Sequence, residues 1–248
     1  MSLKNYTLFL ADTSLILGQR LGEWCGHGPV LEQDIALTNI ALDYVGRARL
    51  LYQYVSELDA NGKSEDNYAM MREEREFKNL LLVEHPNIDF GFTVARQFLI
   101  DAFFVPYLEE LSKSKNERLS HIADKALKES QYHLRWSSEW MIRLGDGTEE
   151  SHKRIQSAVN SLWEFSGELF SPVPYEKEML LEGIAPDVEN ILTRWNQSVN
   201  SVFSEATIIK PKDSWFQKGG KEGVHTEHLG YILSDMQYLQ RTYPGQDW

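Results

Sequence analysis

The chain has 248 residues, of which 42% are hydrophobic and 12% aromatic, enough to bury one large core or two small ones. Its 37 acidic residues exceed its 25 basic residues, and the net charge of -12 disfavours binding to nucleic acid or to anionic membranes. No stretch approaches the roughly 20 apolar residues of a membrane-spanning helix. One cysteine, Cys25, excludes a disulfide within the chain. We therefore expect a cytoplasmic protein.

Apolar residues recur at three- and four-residue intervals along most of the chain, and no long run alternates with a period of two. This pattern predicts an all-α fold. The predicted helices span about 6–24, 31–58, 66–85, 90–111, 117–144, 149–170, 186–208 and 227–242. A short amphipathic piece at 175–181, in a segment expected to be a hinge, is expected to pack on the bundle. With no internal repeat, we expect one domain over residues 1–248 and a core bundle at about 31–144.

Local signals set several of the predicted helix ends. Pro86 is expected to end the third helix, and Gly26 lies in a cluster that ends the first. Pro106 removes an amide donor inside the fourth helix, so a kink is expected there. Thr226 has the side chain of a good N-cap for the last helix.

Four acidic residues recur at nearly constant intervals, each inside a predicted helix. They are Asp43, Glu73, Asp101 and Glu129, separated by 30, 28 and 28 positions. One carboxylate from each of four helices is typical of a di-iron carboxylate site. Such a site also needs a histidine three residues after the acid on two of the helices. Those two positions hold Glu76 and Tyr132, so the pattern predicts a bundle whose metal site is degenerate.

All four acids lie on apolar stripes and are expected to point inward. Buried carboxylates without partners cost several kcal/mol each, so they need a metal ion, a cation or a proton. Three arginines could form ion pairs with nearby acids: Arg47 with Asp43, Arg72 with Glu76 and Arg96 with Asp101. Spacing alone leaves a relic metal site and a chance arrangement of ion-paired acids both open.

Three histidines could also act as ligands. His133 lies four residues after Glu129 on the same helix face and could complete a partial metal site, or be a hydrogen-bonded core histidine. His225 and His228 have a ligand-like spacing at a helix start, where capping or contact with a partner is the preferred interpretation.

Two further motifs receive structural interpretations. The segment Gly219-Gly220-Lys221 could approach a phosphate, but it lacks the phosphate-loop pattern and is expected to be a flexible surface turn. Cys25 lies beside His27 without an orienting third group, so a buried, apolar thiol is expected instead of a nucleophile.

Several segments of the sequence resemble those of one protein family. The main ones are QRLGEWCGH at 19–27, NLLLVE at 79–84 and GGKEGVHTEHLG at 219–230, with LD at 42–43, ARQ at 95–97, YHLR at 132–135 and MQYLQR at 236–241. They resemble the structural C subunits of bacterial phenylacetyl-CoA epoxidases, multicomponent monooxygenases of aerobic phenylacetate breakdown. The resemblance runs from one end of the chain to the other.

The resemblance implies a ferritin-like four-helix bundle with additional N- and C-terminal helices. It implies that this chain is non-catalytic, holds no cofactor, and pairs with a homologous catalytic A subunit that contains two irons. A small B subunit and a reductase with NADPH, flavin and an iron–sulfur centre would complete the complex. Exposed residues on the second and fourth helices, such as Tyr52 and Phe103, are expected at the interface, with His225 and His228 as further candidates.

Two alternatives belong to other classes of protein. An iron-binding, ferritin-like oxidase would be active by itself and would lose metal and turnover in Glu129→Ala. A helical binding module unrelated to oxygenation would co-purify with something other than an oxygenase subunit. The sequence also leaves open whether the chain forms a homodimer and whether it contacts the acyl-CoA.

Overall fold

The computed structural model describes residues 1–213 and 215–246, which form nine α-helices and several short 3₁₀ helices without a β-strand. The α-helices are α1 (Ser2–Gly22), α2 (Leu31–Asp59), α3 (Glu65–Met70), α4 (Phe90–Leu111), α5 (Glu117–Gly145), α6 (Glu149–Ser166), α7 (Pro174–Leu181), α8 (Val188–Glu205) and α9 (Glu227–Thr242). The predicted all-α class is confirmed, and the architecture is consistent with a ferritin-like helical bundle. None of these helices is long and apolar enough to cross a membrane.

The helix ends follow local capping chemistry. The side chain of Asp89 accepts a hydrogen bond from Phe92 N at the start of α4. Thr226 caps α9 by accepting from His228 N, as its position predicted. Helix α4 continues through Pro106.

The predicted third helix at about 66–85 is wrong. Helix α3 ends at Met70, and only the short 3₁₀ helices Glu74–Glu76 and Leu81–Glu84 follow. Arg72 explains the break, because its Nε donates to Tyr68 O at 2.5 Å. That carbonyl would accept the backbone amide of residue 72 in a continuing helix. A side chain therefore replaces the next helical hydrogen bond.

The described residues divide into two compact units. The N-terminal unit is Met1–Pro86 together with the chain from Gly219 onward, and the central unit is Asn87–Lys218. The single domain expected from the sequence stays a prediction.

In the N-terminal unit, α1 packs along α2 and against the 3₁₀ helix Leu81–Glu84. Gly18 permits this close packing, because a Cβ there would lie 3.0 Å from Val45 Cγ2 and 3.3 Å from Ala41 O. Every residue of α1 from Tyr6 to Gly18 is buried, including Asp12. A carboxylate therefore lies at the centre of an otherwise largely apolar helix.

In the central unit, α4 is the innermost helix, and α5, α6 and α8 pack on it. Every residue of α4 from Gly91 to Leu108 is buried, as is typical of a helix that is hydrophobic on all sides. Trp195 of α8 donates its indole N–H to Leu99 O at 3.0 Å, which satisfies a polar group inside this core.

Candidate functional site

The four acids predicted to form a relic metal site differ in their surroundings. Asp101 is fully buried on α4, whereas Asp43 on α2 and Glu129 on α5 are half-buried. Glu73 lies outside every helix, with its side chain exposed and paired with Arg241. The expectation that all four carboxylates point inward is therefore wrong for Glu73.

A di-iron site would have histidine at positions 76 and 132, and the side chains at both positions also face outward. Glu76 is exposed, and its Oε2 accepts a hydrogen bond from Glu73 N at 2.7 Å, which caps a 3₁₀ helix. Tyr132 is exposed on α5. Within residues 1–213 and 215–246, no three His, Cys, Asp or Glu side chains are grouped to hold a metal ion. The donor set therefore does not fit a di-iron centre.

Asp101 is held by neutral hydrogen-bond donors on two helices. Gln97 Nε2 donates to Asp101 Oδ1 at 2.7 Å, and Ser137 Oγ of α5 donates to Asp101 Oδ2 at 2.8 Å. His133 is fully buried on α5, and Arg96, also fully buried, donates to Asn87 Oδ1 at 2.7 Å. The Ser137–Asp101 hydrogen bond therefore links α5 to α4 inside the core.

A second buried cluster is centred on Asp12, whose role the sequence did not reveal. Tyr52 OH donates to Asp12 Oδ1 at 2.6 Å, Lys78 N donates to Oδ2 at 2.8 Å, and both terminal nitrogens of Arg72 donate to the carboxylate. With Glu76, Arg72 forms a hydrogen bond from Nη1 to the backbone oxygen at 2.9 Å. The expected arginine–carboxylate pair therefore forms with Asp12.

Burial and charge shift the ionisation of this cluster. Burial and the adjacent Asp12 charge raise the pKa of Tyr52 well above its ordinary value, so its phenol stays neutral. Burial opposes the charge of Arg72, but Asp12 raises the pKa of Arg72 above its ordinary value. The signal that could have revealed Asp12 is an acid within the apolar run from Leu8 to Leu17.

A third cluster is centred on the fully buried carboxylate of Glu84. Four donors reach it: Asn79 Nδ2 at 2.8 Å, His225 Nδ1 at 2.7 Å, Thr226 N at 2.8 Å and Thr226 Oγ1 at 2.6 Å. Arg20 binds the backbone oxygen of Glu84 through Nε at 2.9 Å and Nη2 at 2.7 Å. Residues from all three main resemblance segments therefore meet at one buried cluster.

The two histidines of the last motif have different positions. The His225 side chain is fully buried, and its Nε2 lies 3.0 Å from Phe77 O. Burial lowers the pKa of His225, but the hydrogen bond and charge of Glu84 raise it by more, so the net shift is upward. His228 is half-buried, with its ring 5.6 Å from the ring of His85. The His225 side chain therefore has a structural role inside this chain, and a contact of His225 or His228 with a partner stays a prediction.

Four other expectations about single residues are wrong. Tyr52 and Phe103, expected at an exposed interface, are 2% and 0% exposed. Cys25, expected to be buried, is exposed. Lys221, expected in a flexible surface turn, is buried with its ammonium 4.9 Å from the centre of the Phe9 ring. A Cβ at Gly220 would clash with Asn79 O, so this glycine permits close backbone packing.

The exposed side of α2 carries a row of large apolar residues, which we call the α2 face. It consists of Leu31, Ile35, Leu42 and Val45, which are between 37% and 72% exposed. Their spacing of four, seven and three positions places them on one side of the helix. Exposed apolar rows of this kind mark interaction surfaces more often than single apolar residues do.

Comparison with known proteins gives the same family as the sequence segments. The whole chain, residues 1–248, matches the family described as phenylacetic acid catabolic protein. The chain is 49% identical over 243 residues to a protein of Escherichia coli (strain K12) that is named as the C subunit of 1,2-phenylacetyl-CoA epoxidase. That alignment covers 98% of this chain and 98% of the relative. The resemblance predicted from the segments is thereby confirmed, and the chain belongs to the phenylacetic acid catabolic protein family.

Proposed function

We propose that this chain is the non-catalytic structural subunit of a multicomponent phenylacetyl-CoA 1,2-epoxidase in aerobic phenylacetate catabolism. It pairs with the catalytic A subunit and stabilises it. The observation that carries this proposal is the full-length identity of 49% to a protein named as the C subunit of that epoxidase. The remaining parts of the proposed cytoplasmic complex are a small B subunit and a reductase.

The distribution of cofactors follows from the same proposal. Iron belongs to the catalytic A subunit, and flavin, the iron–sulfur centre and NADPH belong to the reductase. The side chains of this chain support that division, because Glu73 is exposed and paired with Arg241, while Asp101 is satisfied by Gln97 and Ser137. A di-iron site needs inward-facing carboxylates and imidazoles on facing helices.

The proposed contact with the catalytic subunit lies on the α2 face, because Tyr52 and Phe103 are buried in this chain. The four α2-face residues carry no charge in a chain whose net charge is -12. An uncharged apolar row supplies the apolar centre that stable interfaces contain. The fitting partner surface is an apolar helix face of the catalytic subunit.

Co-expression with the cognate catalytic and B subunits tests the proposed function. With an affinity tag on the catalytic subunit, we expect this chain to co-purify with it. Elemental analysis is expected to place iron with the catalytic subunit and none with this chain expressed alone. Epoxidation of phenylacetyl-CoA, measured with the reductase and NADPH, is expected to require the pair.

The alternatives give different results in the same experiment. An oxidase active by itself would contain iron and turn over substrate as the isolated chain. A helical binding module would fail to co-purify with the catalytic subunit. Glu129→Gln separates the first alternative from our proposal. Glu129 is half-buried, and its Oε1 lies 3.9 Å from Lys125 Nζ. Among the described residues it belongs to no group of three side chains that could hold a metal ion. We expect unchanged iron content and turnover in that variant.

A further inference from the structure

Helix α9 packs within the N-terminal unit through a small number of buried side chains. Of its residues from Glu227 to Thr242, only four are buried: Leu229, Ile232, Leu233 and Gln237. One of these, Gln237, donates its amide to Ala69 O at 3.2 Å and to Arg72 O at 3.1 Å. Three of the four buried side chains are apolar, which limits the apolar contribution to the docking of a helix this long.

Two open clefts lie beside α9. One, of about 400 Å³, lies between α9 and the segment that contains Glu73 and Glu74. Another, of about 500 Å³, lies between the end of α9 and α3, and is lined by Met70, Met71 and Gln240. The hydrogen bonds that His225 and Thr226 make to Glu84 at the start of α9 add to its attachment.

The geometry at the start of α9 requires a charged imidazole. His225 Nδ1 lies 2.7 Å from Glu84 Oε1, and Nε2 lies 3.0 Å from Phe77 O. Because a carboxylate and a carbonyl only accept hydrogen bonds, both ring nitrogens must donate. A neutral imidazole has a single N–H, so one of the two contacts would place lone pairs against each other in a buried site.

We propose that the His225–Glu84 pair is a pH-sensitive latch, which fastens the start of α9 to the 3₁₀ helix Leu81–Glu84 while His225 is protonated and loosens α9 when His225 loses its proton. Thr226 adds two further donors to the same carboxylate, so the latch joins the capping residue of α9 to the buried acid. Its loosening weakens the attachment of the whole helix.

Other charged or titratable side chains surround the latch. They are Asp12 and Arg20 on α1, Arg72 after α3 and over the Phe77 ring, His85 after the 3₁₀ helix, Lys221 before His225, and His228 on α9. The charge of Asp12 favours the imidazolium, in addition to Glu84. Arg20 binds the backbone oxygen of Glu84 and leaves the carboxylate to Asn79, His225 and Thr226.

The direction of the pH effect follows from linkage. The pKa of His225 is raised in the folded state, so its protonation stabilises the closed position of α9 fully below about 6.5, the pKa of a free imidazole. That stabilisation is lost as the pH rises through the higher pKa of the closed state. The opening equilibrium of α9 should increase about tenfold for each pH unit that separates the two pKa values.

Hydrogen exchange of the full chain, with NMR titration of its histidine rings, tests the latch. Exchange is followed by mass spectrometry from about pH 5.5 to about pH 8.5 and corrected for the intrinsic pH dependence of amide exchange. We expect His225 to titrate above about 6.5 and the protection of α9 peptides to fall across that transition, while α5 peptides do not respond.

Three variants sharpen the test. His225→Gln should lower the protection of α9 and remove its fall with pH, and Glu84→Gln should move the His225 titration to lower pH. His121→Gln, on the exposed surface of α5, is the matched control and should change neither readout. His225 titrating at or below about 6.5, or an equal fall in His225→Gln, would overturn the proposal. If the variants do not fold, an equal pH response of α9 and α5 in the wild type overturns it.

Discussion

Arg72 and Asp12, 60 residues apart in the chain, form a buried ion pair in which Arg72 Nη1 donates to Asp12 Oδ2 at 3.0 Å and Nη2 donates to Oδ1. Their side chains are 9% and 0% exposed. Loss of one partner leaves the other charge buried and uncompensated. We expect Arg72→Leu to lower the free energy of unfolding by about 3–5 kcal/mol, measured by urea denaturation.

The double variant Asp12→Leu/Arg72→Leu separates the ion pair from general disruption of the core. Since it removes both charges together, it should recover part of the stability lost in Arg72→Leu. Arg154→Leu is the matched surface control, because Arg154 pairs with Glu150 at 2.6 Å on the exposed side of α6. Its urea midpoint should not change. A loss in Arg72→Leu no larger than in Arg154→Leu would contradict the buried pair.

Tyr52 should affect folding and not assembly, contrary to its expected place at an interface. Its hydroxyl donates to Asp12 at 2.6 Å, and hydrogen bonds to buried charges contribute about 1–3 kcal/mol. We expect Tyr52→Phe to lower the melting temperature while this chain still co-purifies with the catalytic subunit. Tyr231→Phe, at an exposed tyrosine of α9, provides the control. Dissociation of the complex at unchanged melting temperature would show that Tyr52 acts at an interface.

Sequence periodicity correctly predicted the bounds of helices whose ends are fixed by local capping. The bounds of α4 and α9 agree with the prediction because Asp89 and Thr226 cap their starts through neighbours a few residues away. The same reasoning failed after Met70, because Arg72 is directed to Asp12 and Tyr68 O. A partner 60 residues distant leaves no trace in local periodicity.

The candidate site was only partly predictable for the same reason. Asp101 and His133 lie on regular helices, so their inward position followed from apolar stripes on those helices. Glu73 was placed on a helix that does not exist, and its carboxylate instead pairs with Arg241. The pairing of His225 with Glu84 joins residues 141 positions apart, which spacing arguments do not reach.

The α2 face should be required for assembly but not for folding. Leu42→Asp places a charge on an exposed row, so it should leave the melting temperature of the isolated chain unchanged. It should abolish co-elution with the catalytic subunit in size-exclusion chromatography, because a charge without a partner is buried in the interface. Leu181→Asp, at an exposed leucine of α7, should leave co-elution intact. Equal co-elution of both variants would exclude the α2 face as the interface.

Asp59 makes the N-terminal unit sensitive to acid. Its Oδ2 accepts from Lys4 Nζ at 2.6 Å, Tyr68 OH at 2.5 Å and Asn61 Nδ2 at 2.7 Å, and the bonds from Lys4 and Tyr68 lower the pKa of this carboxyl. A lowered folded-state pKa stabilises the fold above the unfolded pKa of about 4, and the contribution disappears as the pH falls through the folded-state value. Asp59→Asn should therefore be less stable than wild type near pH 7, and the difference in unfolding free energy should shrink towards about pH 3. Urea denaturation at both pH values measures it, and a difference that is constant or grows in acid would mean that the Asp59 charge does not stabilise the folded chain.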